Sequence, residues 1–349
     1  MKFKAAVLSK QKKPLNIIEL ETKSNLKRGQ VLVKLFYSGI CGSQIGEILG
    51  VKGKDHFLPH LLGHEGTGVV KKIGKNIKKI KVGDKVILHW QKSKGINSQT
   101  PHYTFKKKKI NSGWVTTFNE YSIVSENRLT KLPNKISSKR GILFGCSLTT
   151  AYGTLKRNGK IKSKDKILII GTGNIGLAMI YILNLIGCKN IIAIDKNIKK
   201  LKIAKSLGAK KTFLLKKKDK LTSEIIRSLD GSKPNKIFEN SGDVKMIEFA
   251  YEILDKIGIL SLVGVPYFKK KIKINTLPLH LGKKIVGSFG GGGDPAKDIY
   301  ELNKLIKSTK TLDLLLGEEF NLKSINTPIK KMIKNKLILK PIINFKKRF

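Results

Sequence analysis

The segment Lys166-Ile-Leu-Ile-Ile-Gly-Thr-Gly-Asn-Ile-Gly176 constrains this chain more than any other. An apolar run of strand length leads straight into G-x-G-x-x-G, and an apolar stretch of helical length follows. Such a turn has a physical logic. Gly171 makes the tight bend, Gly173 lets the backbone approach a pyrophosphate, and Gly176 lets helix and strand pack closely. The helix opens at Asn174 and Ile175, with the positive end of its dipole toward the phosphates. Asp195 ends the next apolar strand, Ile191-Ile-Ala-Ile-Asp195, where a carboxylate can accept the ribose hydroxyls. A carboxylate repels a 2′-phosphate, so NAD is the expected nucleotide. Lys196 and Lys200 are the nearby cations that would favour NADP instead.

The rhythm around this motif extends the reading. Strands are expected at 167–170, 190–194, 212–215, 236–239 and 258–263. Helices are expected at 174–186, 198–207, 221–229 and 244–254. Alternation at this spacing points to a parallel, doubly wound α/β sheet. Residues 1–147 read differently. Short β-branched and aromatic runs at 31–37, 67–73, 85–88 and 120–124 are separated by Gly, Asn and Asp turns, as in a small barrel-like β domain. The segment 288–349, with a last strand at 341–345, is expected to return to that first domain and complete it. Residues 148–287 then form the nucleotide-binding domain.

A length of 349 residues accommodates two such cores. The net charge of +47 raises the question of a polyanion partner. However, only six of the basic residues are Arg, and Lys is spread over the whole length. Bidentate phosphate recognition favours Arg, and no aromatic-interleaved basic motif is present, so no specific nucleic-acid partner is expected. Lys106–Lys109 reads as a solvated loop tip. No apolar run reaches the ~18 residues that span a bilayer. Three widely separated cysteines make no disulfide framework, which fits a reduced, cytoplasmic protein.

Two of those cysteines, Cys41 and Cys146, and His64 within Gly63-His-Glu-Gly-Thr-Gly68 form a donor set that suits Zn²⁺. Three protein ligands leave a fourth coordination position for chemistry. A catalytic metal together with a nicotinamide site points to hydride transfer between the cofactor and an alcohol or its carbonyl product.

Gly39-Ile-Cys41-Gly-Ser43, Gly63-His64-Glu65-Gly66-x-Gly68-x-Val70, Val82-Gly-Asp-Lys-Val86 and Cys146-Ser-Leu-Thr-Thr150-Ala-Tyr-Gly153 together resemble the zinc-dependent medium-chain alcohol dehydrogenase family. The likeness continues through Gly171–Gly176, Asp195 and Val263-Gly-Val-Pro266 to Phe289-Gly-Gly291. It implies a GroES-like β-barrel catalytic domain joined to a Rossmann domain, with the active site in the cleft between them. It further implies a homodimer or homotetramer acting on a small alcohol, with sugar, nucleotide-sugar, polyol or threonine-type alcohols as alternatives. Cys41, His64 and Cys146 match the ligands of one catalytic zinc. Glu65 matches a carboxylate behind the metal, and Ser43 the hydroxyl that starts the proton relay. Thr150, Val263 and Phe289 match positions lining the nicotinamide, and Lys200 one beside the adenosine ribose.

Three departures stand out. Gln44 replaces the acid that orients the ligand histidine, with His56 or Glu47 as candidate substitutes. Gly46 replaces the outer relay histidine. The cysteine-rich lobe of a second, structural zinc is missing, and in its place Trp90 is a pocket-lining candidate and Trp114 either a hydrophobic anchor or a substrate contact.

Overall fold

The computed structural model describes residues 1–22, 25–215 and 220–346. The chain forms two compact units. One comprises Met1–Cys146, Asp294–Asn303 and Ser308–Phe349; the other comprises Ser147–Gly293 and Lys304–Lys307.

The second unit carries a six-stranded, wholly parallel sheet. Its order is Lys211–Leu214, Asn190–Asp195, Lys166–Ile170, Lys236–Glu239, Ile259–Leu262, Lys284–Gly287. The run Ile167–Ile170 is at most 2% exposed, which explains why it is continuously apolar: both faces of a parallel sheet are covered. The helix Asn174–Leu185 buries Leu177 through Leu183. Strand order reverses at Lys166–Ile170, so the loops after it and after Lys236–Glu239 lie side by side. A Cβ on Gly171 would meet Ser241 N at 3.2 Å. A crevice at such a reversal is where doubly wound sheets take their ligands.

In the first unit the long strand Gln30–Gly39 is the organiser. It pairs antiparallel with Glu65–Ile73, Tyr121–Ser125 and the returning Lys340–Asn344. A five-stranded sheet contains Lys2–Leu8, Asn16–Glu21 and the hairpin Tyr103–Phe105/Lys108–Ile110. Lys106 and Lys107 occupy the two-residue turn with φ of 48° and 62°, the signs of a type I′ turn, so the basic tip caps a β-hairpin. Ile40 and Leu62 share one buried cluster with Leu8, Phe118, Ile325 and Ile343. Each such side chain contributes about 1.5–3 kcal/mol on full burial. This cluster holds the residues next to Cys41 and His64 in place. Among the described residues, no helix is long and apolar enough to cross a membrane.

Candidate metal centre

Cys41 leaves the strand Gln30–Gly39 and stands at the N-cap of the helix Gly42–Leu49. Its backbone N–H donates to Gln44 Oε1 at 3.2 Å, one arm of a capping box. His64 lies between the short strand His60–Leu61 and Glu65–Ile73. Gly63 before it has φ +91°, and a Cβ there would stand 2.4 Å from Thr117 Oγ1, so only glycine fits. Cys146 follows the turn Ile142–Gly145 and precedes the helix Ser147–Gly153.

From these three places the two sulfurs and an imidazole nitrogen come within 4.8 Å of one another. His64 Nε2 is buried without a hydrogen-bond partner. A buried orphan nitrogen beside two sulfurs is what a zinc ligand set presents. Among the described residues this is the one cluster of Cys, His and acidic groups with such spacing. A hydrogen bond from Cys146 holds the Cys41 thiol well below the ordinary thiol range, with help from His64 and the charge of Lys340. Its counterpart, Cys146, is pushed well up by the same contact and by burial.

Behind the sulfurs, Glu65 and Lys340 form an ion pair in which both side chains are 0% exposed. Burial alone would pull the Lys340 ammonium down, but the charges of Glu65, Cys41 and Cys146 raise it above its ordinary value. Lys340 therefore stays charged and offsets the negative charge of the donor set. Sequence reading passed over this residue, because a Lys in a Lys-rich chain carries no contrast.

Two side chains reach His64 Nδ1: Gln44 Nε2 at 2.5 Å and Ser43 Oγ at 3.5 Å. Gln44 itself thus takes the orienting position, where the sequence offered His56 or Glu47. The Trp90 ring centroid lies 6.3 Å from that of His64, a flat apolar wall beside the ligand. Trp114 is 45% exposed and lies beneath the Arg128 guanidinium, 5.0 Å from its centroid, so it is a cation–π plate rather than a buried anchor. Arg128 also donates to the Trp90 carbonyl. Burial pulls its pKa down to about 10.

The second unit holds the nucleotide turn. Gly173 is the N-cap of Asn174–Leu185, and a Cβ there would meet nothing within 4 Å, so its face is open. A Cβ on Gly176 would stand 2.1 Å from Gly171 O, as expected where helix and strand touch. Asp195 Oδ2 accepts from Thr172 N at 2.7 Å and Thr172 Oγ1 at 2.9 Å, and Oδ1 from Asn197 N at 2.8 Å. A carboxylate has about four acceptor sites, so capacity for a ribose hydroxyl remains. Lys196 pairs with Asp243 at 3.6 Å, while Lys200 lies in the first turn of the helix Ile198–Ser206, its backbone N–H donating to the capping Asn197 Oδ1 at 3.4 Å. Val263 follows the strand Ile259–Leu262, and Phe289, 77% exposed, follows Lys284–Gly287. Thr150 is buried on Ser147–Gly153, and a Cβ on Gly291 would lie 2.9 Å from its carbonyl, so the Phe289 loop packs on that helix.

Residues 27–134 match the family described as alcohol dehydrogenase GroES-like domain, and residues 174–308 match zinc-binding dehydrogenase. The chain belongs to the zinc-dependent medium-chain alcohol dehydrogenase family. This dehydrogenase is 28% identical to an S-(hydroxymethyl)glutathione dehydrogenase from Synechocystis sp., over 84% of its own length and 86% of the relative's. Its fold is that of benzyl alcohol dehydrogenase from Acinetobacter calcoaceticus, with a TM-score of 0.87 at 24% identity and 99% of both chains covered. It also superposes on 2R,3R-butanediol dehydrogenase from Bacillus subtilis, with a TM-score of 0.80 at 25% identity, covering 98% of this chain and 99% of that one. As a member of the family, this zinc-dependent dehydrogenase is an oxidoreductase acting on CH–OH groups.

Proposed function

We propose that Cys41, His64 and Cys146 hold one catalytic zinc and that the chain oxidises an alcohol, or reduces its carbonyl product, with NAD as the hydride carrier. The observation that carries the reading is the approach of three soft donor atoms within 4.8 Å, with His64 Nε2 buried and unpartnered. Zinc, when bound, supplies a Lewis acid that makes an alcohol hydroxyl acidic near neutral pH, and the nicotinamide supplies the hydride acceptor.

The chain's own residues do the rest. Ser43, half-buried on the helix after Cys41, accepts the hydroxyl proton at Oγ and releases its own outward. With Gly46 in place of an outer relay group, that proton passes to solvent. Glu65 and Lys340 hold a compensated pair of charges behind the sulfurs. Gly171, Gly173 and Gly176, with Asn174 and Ile175 opening the helix, cradle the pyrophosphate; Asp195 and Lys200 flank the adenosine ribose. Thr150, Val263 and Phe289 line the nicotinamide.

The substrate class follows from the wall beside the ligand. Trp90 offers a flat apolar face 6.3 Å from the His64 ring, which suits an alcohol with an apolar or aromatic body over a free sugar. Benzyl alcohol and 2R,3R-butanediol, named for the structural relatives, bracket that choice. A homodimeric or homotetrameric, cytoplasmic enzyme is part of this proposal.

The test is to purify the protein, measure its zinc, and follow absorbance of the reduced cofactor over a panel of alcohols, polyols and sugars. One zinc per chain and NAD-linked oxidation of apolar alcohols are expected. Two zinc per chain, full activity in Cys146→Ala, or preference for NADP would each overturn the corresponding part.

A further inference from the structure

Gln44 is 2% exposed and meets two groups at once. Its Oε1 accepts from Cys41 N–H at 3.2 Å, and its Nε2 stands 2.5 Å from His64 Nδ1. An amide has one acceptor oxygen and one donor nitrogen. In this arrangement His64 Nδ1 accepts, which leaves the neutral ring's single proton on Nε2. With Nδ1 engaged by Gln44 and Ser43, the buried, unpartnered Nε2 is the nitrogen left to present a lone pair to a metal. A zinc ligand therefore needs the other tautomer, with the proton on Nδ1 and an acceptor opposite it. Gln44 supplies that acceptor by turning its amide, and Cys41 N–H then faces the NH₂ group. The two donors stand at opposite ends of the amide, so in either orientation the oxygen faces one of them and the NH₂ group the other. Ser43 Oγ, at 3.5 Å, stands at the limit of hydrogen-bond reach from the same nitrogen and is the weaker partner.

We propose that Gln44 is the positioning residue of the metal centre, and that its single acceptor oxygen, shared between Cys41 N–H and the His64 ring N–H, limits zinc affinity. A carboxylate in the same place accepts from both donors together and carries no such conflict. The amide makes the site looser, and zinc more readily exchanged, than the same three ligands backed by an acid. The inference rests on Cys41, His64 and Cys146 being the ligands.

The experiment is competition for Zn²⁺ between a chromophoric chelator and the zinc-loaded protein, in wild type and Gln44→Glu. NAD affinity is measured alongside as a control for the fold. Gln44→Glu is expected to bind zinc about 10–100-fold more tightly, the range over which groups behind a ligand histidine act. A purely structural Gln44 would lose affinity on substitution, not gain it. Nitrogen-15 spectra of histidine-labelled protein, stripped by the same chelator, give a second readout independent of affinity. His64 should carry its proton on Nε2 in wild type and on Nδ1 in Gln44→Glu. Equal or weaker zinc binding in Gln44→Glu, or an Nδ1 proton already present in stripped wild type, overturns the role of Gln44 and leaves the ligand assignment standing. A wild type that takes up no zinc overturns the ligand assignment, and this inference with it.

Discussion

Lys340 and Glu65 show how much of the centre depends on side chains that never touch a substrate. Each is 0% exposed, so neither charge is solvated once its partner is gone. Removing one member of a buried pair typically costs about 3–5 kcal/mol, whereas removing both with shape preserved is far milder. Lys340→Met is therefore expected to lower unfolding free energy by about that amount in urea titration, and Glu65→Gln/Lys340→Met to recover most of it. A Lys340→Met variant as stable as wild type would show that Glu65 is neutral in the fold. Ser43 is the opposite case, a half-buried hydroxyl with a chemical role. Ser43→Ala is expected to lower turnover by roughly 10²–10⁴-fold, while zinc content and NAD affinity hold and Ser43→Thr keeps much of the activity. A loss below about threefold with zinc retained would remove Ser43 from the proton path. At this scale the sequence was most legible where residue types have narrow chemistry. Cys41, His64 and Cys146 stand out among three cysteines and six histidines, and the structure brings them together. Lys340 was invisible, and Gln44 reaches His64 Nδ1 where the sequence offered His56 or Glu47.

The G-x-G-x-x-G turn carries two glycines whose reasons differ, and the fold separates them. At Gly173 an added Cβ meets nothing within 4 Å, so the chain tolerates it; at Gly176 it would stand 2.1 Å from Gly171 O. Gly173→Ala is accordingly expected to keep the melting temperature but weaken NAD binding by filling the space a pyrophosphate needs. Gly176→Ala should lower the melting temperature before any question of NAD arises. Parallel thermal scans and NAD titrations check both, and a Gly173→Ala variant with unchanged NAD affinity would move the phosphates away from this turn. The same elements show what patterning reveals. Strands buried on both faces, such as Lys166–Ile170 and Lys236–Glu239, read clearly because every position is constrained. The hairpin at Tyr103–Ile110 did not, because its strands have three residues each and its turn uses Lys106 and Lys107 where Asn-Gly is the usual signal. Lys284–Gly287, half-exposed and four residues long, was not among the expected strands for a similar reason.

Over the whole molecule, charge sets how stability answers to the solvent. His89 is fully buried, and burial, opposed by the Gln91 carbonyl and reinforced by Arg128, pulls its pKa from 6.5 to about 4. Below pH 6.5 the unfolded chain takes up a proton there and the folded one does not, so stability falls with pH down to about 4. The difference is on the order of 3 kcal/mol. His89→Gln should flatten urea stability against pH across that window by one proton, and an unchanged slope would show that His89 is protonated in the fold. The larger field comes from 71 basic against 24 acidic residues. Surface pairs such as Lys2–Glu21, 63% and 56% exposed, contribute at most about 1 kcal/mol and are screened by salt. Repulsions between unmatched lysines outnumber them and act over the Debye length, about 30 Å at 0.01 M and 10 Å at 0.1 M. Adding NaCl from about 10 mM to about 300 mM therefore removes more repulsion than attraction. The melting temperature should rise by a few degrees, since about 1 kcal/mol moves a domain of 150–250 residues by ~2–4 °C. Chloride avoids the confusion of phosphate binding at the nucleotide turn. A melting temperature that falls with added NaCl would mean that ion pairs outweigh the repulsion and that the lysine excess is arranged rather than diffuse.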